Sequence, residues 1–187
     1  MQRFIRSAAV AACLVVVGAL PAPAFAQAQA TSIVVVDMER VVTQSVAGKQ
    51  AMGEIEGKMK ALQARAGTLQ GQLKTEADAI QAGQANKSLA GAALDTRVKA
   101  FGDKQQAAQQ EIGKLENDIQ RSRQYVLKQI SDKVGPVVGE VMKERGATLA
   151  LPKGATLQHA PSMDVTAEVL SRLDKALPSV STTPPAN

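Results

Sequence analysis

Aromatic side chains are almost absent from this chain of 187 residues: it has no tryptophan, one tyrosine and three phenylalanines. Phe4 and Phe25 lie in an N-terminal stretch that reads as removable, which leaves Phe101 and Tyr125. So few stacking groups exclude the platforms on which single-stranded nucleic acids lie, and no nucleic-acid partner is expected despite a pI of ≈ 9.5. Cysteine and histidine are each represented once, by Cys13 and His159. Carboxylates such as Glu54 with Glu56, or Glu168 with Asp174, sit at ordinary helix-surface spacings and suggest no acid–base pair or ligand cluster. No phosphate-cradling glycine loop is present. This inventory argues against an enzyme and singles out no catalytic, cofactor-binding or metal-binding residue.

The chain begins with Arg3 and Arg6, an uncharged apolar run from Ala8 to Leu20, and a Pro21-to-Ala26 segment ending in an Ala-x-Ala pattern. These are the three parts of a cleavable signal peptide, and residues 1–26 are assigned to it; Ala28 and Ala30 also satisfy the small-residue rule for cleavage. Its removal takes away Cys13, so the mature chain has no thiol and no disulfide. No later run is long enough for a transmembrane helix. The expected location is the periplasm, if the source has two membranes. Residues 27–31 read as a disordered leader.

What the chain has in plenty is heptad periodicity. Met52, Ile55, Met59, Leu62, Ala66, Leu69, Leu73 and Ile80 fall at steps of three and four, missing only at Glu76, as do Leu94, Val98, Phe101, Ala108, Ile112, Leu115, Ile119 and Val126, with polar intrusions at Gln105 and Ser122. Two such seams joined by a turn predict an antiparallel helical hairpin over residues 49–145, with its tip near 83–91 around Asn86, Lys87 and Ser88. Ser88 is read as the N-cap of the returning helix. One register allowed by the heptads sets Ile55 opposite Ile119, Met59 opposite Leu115, Leu62 opposite Ile112 and Leu73 opposite Phe101. Gly53, Gly57, Gly67, Gly71, Gly102 and Gly113 all lie off the seam, where each weakens a helix by about 1 kcal/mol relative to alanine. They predict a bendable rod, unless they reflect only codon composition.

The rest divides into short elements. Ser32 to Val36 reads as a buried strand, Asp37 as the N-cap of a short helix, and Ser45 to Lys49 as a kink where the arm starts. Ala147–Leu151 and Ala155–His159, separated by Pro152-Lys153-Gly154, read as a β-hairpin. A helix is expected from Val165 to Leu177, capped by Asp164, with Val169, Leu170, Leu173 and Leu177 as its apolar face. Residues 178–187, rich in Ser, Thr and Pro, read as a disordered tail. The fold class is therefore mainly α with a small β part, a long coiled-coil arm projecting from a discontinuous α+β body formed by residues 32–48 and 146–177. Such a body buries too little to stand alone, and exposed strand edges would pair with copies of the chain. Ile33, Val34, Val35, Val36, Leu149 and Leu151 are the expected oligomerisation core.

Charge is uneven. Between Lys49 and Lys143 there are 15 Lys or Arg against 11 Asp or Glu, a net of +4. The first reading is a solvated face; the second is attraction for acidic polypeptides or anionic lipid.

The run Ile33-Val-Val-Val-Asp-Met-Glu-Arg40, the Ser45-Val-Ala-Gly-Lys49 kink, the Gln-, Lys- and Ala-rich hairpin, Ala147-Thr-Leu-Ala-Leu151 and Asp164-Val-Thr-Ala-Glu-Val-Leu-Ser-Arg-Leu173 together resemble the OmpH/Skp family of periplasmic chaperones. The resemblance spans nearly the whole mature chain. It implies a homotrimer whose β body is shared among three chains, with arms enclosing a cavity for unfolded outer-membrane proteins. It carries no active-site residues with it, and the arm glycines and modest basic excess depart from its pattern. The expected function is then an ATP-independent holdase without a cofactor. The alternative is a structural coiled-coil adaptor of the cell envelope, which predicts a folded partner and no effect on client aggregation.

Overall fold

The structure, a computed structural model, describes residues 31–185. The signal-peptide assignment and most of the leader lie outside the described residues, as do residues 186–187.

The described chain runs β1 (Ile33–Val36), α1 (Met38–Gln44), α2 (Val46–Ala85), α3 (Ala92–Arg145), β2 (Leu149–Pro152), two 3-10 turns (Lys153–Ala155 and Pro161–Met163) and α4 (Thr166–Ala176). At 1.5 Å per residue α2 is about 60 Å long and α3 about 80 Å, so most of both helices stands beyond the base as a two-helix arm. Asp37 opens α1, its carboxylate accepting the Arg40 amide at 2.9 Å. Ser45 closes α1 and opens α2, its hydroxyl accepting the Gly48 amide at 3.1 Å. The Val46 amide donates to Asp174 on α4 at 2.8 Å, which fixes the angle of the kink.

The sheet differs from the expected hairpin. β2 pairs with β1 in parallel, Ile33 beside Leu149 and Val36 beside Pro152. Parallel strands need a long crossover, and here the whole arm serves as that crossover. The far side of β1 is taken by Asp164 and Val165, the Val165 amide donating to the Val35 carbonyl at 3.0 Å. The predicted strand 155–159 does not form: Lys153–Ala155 coils into a 3-10 turn and Leu157 is fully exposed. That segment holds one β-branched residue, Thr156, whereas β1 offers four residues that pack, so β1 wins the pairing.

One apolar cluster fills the base. Val34 and Val36 from β1, Val41 from α1, Ala47, Ala51 and Ile55 from α2, the stripe Val126, Ile130, Val134, Val137 and Val141 from α3, and Val165, Val169 and Leu173 around α4 are all buried in it. Ile130 and Leu173 have no measurable exposure, and each such side chain stabilises the fold by about 1.5–3 kcal/mol. Arg172 on α4 reaches Glu144 on α3 and Glu168 on its own helix, and Arg145 joins Glu168 at 2.8 Å. The Arg172 guanidinium holds the Glu144 carboxyl below its ordinary range, and Arg145 does the same for Glu168.

Two further expectations are corrected. Ser88 does not cap the returning helix. α3 starts after Gly91, whose φ of 57° and ψ of −142° suit only glycine, while Ser88 turns back so that its amide donates to Asn86 Oδ1 at 2.9 Å. Asn86, Lys87 and Ser88 therefore close α2, with Lys87 in the left-handed region. The second correction concerns the tail. Residues 178–185 are seated on the arm, with Val180 and Thr182 buried, because arm side chains supply partners to their backbone that composition cannot reveal.

Candidate binding faces of the hairpin arm

The seam is tight at the base and opens outward. Ile55 and Ile119 are buried; Leu62, Leu69, Leu73, Phe101, Ile112 and Leu115 are half-buried; Met59 and Val98 are 38% and 48% exposed. Ile80 near the tip is buried again. One partner helix covers only a narrow stripe of each rod, so leucine flanks remain open.

The cross-arm contacts settle the register one heptad away from the expected one. Met59 meets Arg123, at 2.9 Å from sulfur to guanidinium, rather than Leu115. Lys58 bonds Ser122 at 2.9 Å, and Ile55 shares a cleft with Val126 rather than Ile119. Heptad spacing repeats every seven residues and cannot choose between such solutions. The choice is made at the base, where Ala51 and Ile55 pack with Val126 and Ile130 in the core cluster.

Open clefts follow the seam. One, of about 740 Å³, is lined by Val42, Met52, Ile55, Met59, Val126 and Leu127, among others, and presents two flexible methionines to solvent. Another, of about 800 Å³, lies over Leu62, Leu115 and Ile119 beside Arg65, Glu111 and Arg121. A third, of about 760 Å³, runs past Leu69, Leu73, Ala107 and Ala108 beneath Glu76 and Lys104. Toward the tip, Asn86, Lys87 and Ser88 are all exposed.

Ion pairs bridge the helices across these clefts. Arg65 holds both oxygens of Glu111, at 2.6 and 3.0 Å, and Glu76 accepts from Arg97 at 2.9 Å and Lys104 at 3.3 Å. The Arg65 hydrogen bonds keep the Glu111 carboxyl below its ordinary range, and Lys104, then Arg97, do the same for Glu76. Lys60, Lys74, Lys99 and Lys128 pair with carboxylates on their own helices. Exposed pairs of this kind add little stability. They do consume much of the arm's positive charge locally.

Among the proposed oligomerisation residues, Val34, Val35 and Val36 are buried within the chain and Ile33 is half-buried. Leu149 is 42% exposed and Leu151 half-buried, and β2 carries a sheet edge that no described strand covers. The sequence reasoning missed Glu54, Lys58 and Gln129, the residues that hold segment 178–185. The one signal was Ser122, a hydroxyl inside an apolar seam. It is 1% exposed, donates to the Asp118 carbonyl at 2.8 Å and accepts from Lys58.

His159 lies 3.7 Å from Asp164, beside the sheet. Among the described residues no group of three or more His, Cys, Asp or Glu could hold a metal ion, and no helix is long and apolar enough to cross a membrane.

A long two-helix arm rising from a small α+β base, with open apolar clefts down its seam, defines a helical-hairpin protein. The chain belongs to the OmpH-like family: the family model for outer membrane protein (OmpH-like) matches residues 32–173. Among solved structures, it resembles a candidate outer membrane chaperone (OmpH-like) from Caulobacter crescentus CB15, with a TM-score of 0.73 and 20% identity, covering 81% of this chain and 88% of that one. No curated protein matches the sequence.

Proposed function

We propose that this protein is an ATP-independent periplasmic holdase: it binds unfolded outer-membrane proteins in a cavity between helical arms of an oligomer and keeps them from aggregating. The observation that carries this reading is the half-open seam, in which leucines and methionines line clefts on both flanks of the arm instead of being sealed between helices. An unfolded chain offers no fixed shape, so many weak and adaptable contacts hold it better than one sharp pocket. Membership of the OmpH-like family and the chaperone description of its structural neighbour support the same reading.

The oligomer is taken to be a trimer built through the base. Its support is the open edge of β2 with Leu149 exposed along it, since such an edge is satisfied by pairing with another copy. Cations of the arm outside the ion pairs, such as Lys114 and Arg121, would draw acidic client segments or anionic lipid to the same faces.

The test is light scattering of the mature protein alone and mixed with an outer-membrane barrel protein diluted from urea, without nucleotide. The expected result is an oligomeric mass and suppressed client aggregation. A monomer that leaves the client aggregating overturns the proposal.

A further inference from the structure

The family match ends at residue 173, yet the chain continues in an ordered path along the arm to Pro185. Exposure alternates along that path: Ser179, Ser181 and Thr183 face solvent while Val180 and Thr182 are buried. The segment is irregular, bending at Thr182 and Thr183, where the Ser181 hydroxyl accepts the Thr183 amide at 3.1 Å. Most of the polar contacts that hold it go to main-chain atoms. The Ser181 amide donates to Gln129 Oε1 at 3.1 Å, and Gln129 Nε2 donates back to the Ser181 carbonyl at 2.8 Å. The Lys58 ammonium donates to the Thr182 carbonyl at 2.7 Å while Ser122 fixes it from the arm side. Arg121 reaches the Pro185 carbonyl at 3.5 Å. The Thr182 hydroxyl, donating to Glu54 at 2.7 Å, is the segment's one side chain bonded to the arm. Val180 enters the apolar cluster of the base.

A cleft that grips carbonyls and amides does not depend on which sequence supplies them. It asks only for an irregular stretch of backbone with small or β-branched residues at the two buried positions, as Val180 and Thr182 supply. The same cleft continues past Thr183 over Leu62, Leu115 and Ile119, so the segment covers only part of the apolar floor.

The geometry points to residues 179–185 as a built-in peptide ligand of the arm, which a segment of an unfolded polypeptide displaces by taking over Lys58, Gln129 and the Val180 pocket. The identity of the competitor rests on the proposed binding of unfolded chains; the seating of the segment does not. Because the segment is tethered, it sits at an effective concentration of roughly millimolar, so a lone short peptide competes poorly. An unfolded chain held by several arms presents many segments at once and competes well. Pro184 and Pro185 lack amide donors, which keeps the displaced segment from templating strand addition.

The chain from Gln27 contains no cysteine, so Thr183→Cys accepts a single dye at an exposed position of the segment. In the full mature chain, time-resolved anisotropy should show the dye tumbling with the arm. It should lose that slow component on addition of an outer-membrane barrel protein diluted from urea, and also in the Lys58→Met, Gln129→Ala double variant without any client. A dye that tumbles freely from the start, or one unaffected by the double variant, overturns the seating. A dye that stays slow when the barrel protein is captured overturns the competition.

As a second measurement independent of the dye, hydrogen exchange at the Ser181 amide should quicken by about tenfold or more in the double variant, the loss expected when hydrogen bonds worth about 1.4 kcal/mol are removed. Unchanged exchange overturns the seating as well. Loss of slow tumbling in the double variant together with no suppression of aggregation by the wild-type chain would leave the built-in ligand standing and remove the holdase proposal alone.

Discussion

Gly48 lies so close against the carbonyl of Val42 that a side chain at position 48 would collide with that oxygen and crowd the Ser45 hydroxyl. The last turn of α1 and the first turn of α2 cross here, and the obstruction is backbone, which cannot rotate away. Gly48→Ala is expected to cost about 3 kcal/mol or more, at the upper end for overpacking. Urea unfolding followed by circular dichroism measures it. A midpoint within error of the wild type would mean that the kink yields more easily than the packing indicates.

The arm glycines behave in the opposite way. A Cβ built on Gly67, Gly71, Gly102 or Gly113 meets nothing within 4 Å. No close approach requires them, so each replacement by alanine should stabilise the helix by about 1 kcal/mol. The quadruple variant should unfold at higher urea and, if pliable arms serve capture, hold a narrower range of client sizes. Equal capture of small and large barrels by the stiffened protein would separate the glycines from function and leave them as composition.

Burial along the seam makes a graded prediction. Ile130→Ala removes a side chain with no exposure from the base cluster and should cost about 2–5 kcal/mol. Val98→Ala, at a seam position 48% exposed, should cost about 0.5 kcal/mol or less. Similar losses at the two sites would show the outer seam to be sealed in solution, by the arm itself or by another copy.

Much of this architecture is visible in the residues. Asp37 before an apolar–polar helix, Ser45 at a kink and two heptad seams around Asn86 each state a local preference that the fold respects. Where local chemistry leaves a choice, the sequence is silent. Heptads repeat, so the one-heptad shift that brings Lys58 to Ser122 comes from the base and not from the seam. Pro152-Lys153-Gly154 is a sound turn signal, but a distant β1 outbids the neighbouring segment for β2. Segment 178–185 misleads most. A Ser-, Thr- and Pro-rich stretch reads as disorder because its own side chains cannot form a core, and its order comes from partners on the arm, Lys58 and Gln129, more than fifty residues away in sequence.

Acid should loosen the molecule in a defined window. Hydrogen bonds from Arg172, Arg145, Lys104 and Arg65 hold the carboxyls of Glu144, Glu168, Glu76 and Glu111 below their ordinary 4.5. The Thr182 hydroxyl, and after it Gln50, does so for Glu54. Thr166 lowers Asp164 from 3.8. Groups whose folded pKa is depressed bind fewer protons in the folded state than in the unfolded one. Their contribution is therefore complete above pH 4.5 and is lost as the pH falls through the lower folded values. The urea midpoint should be level from neutral pH down to about 5 and then decline. Raising salt should shrink the decline, because the pairs are exposed and screened. In the Glu144→Gln, Glu168→Gln double variant the decline should be shallower, since the ties from α3 to α4 no longer titrate. A midpoint that stays constant from pH 7 to pH 3 would show that these ion pairs leave stability untouched.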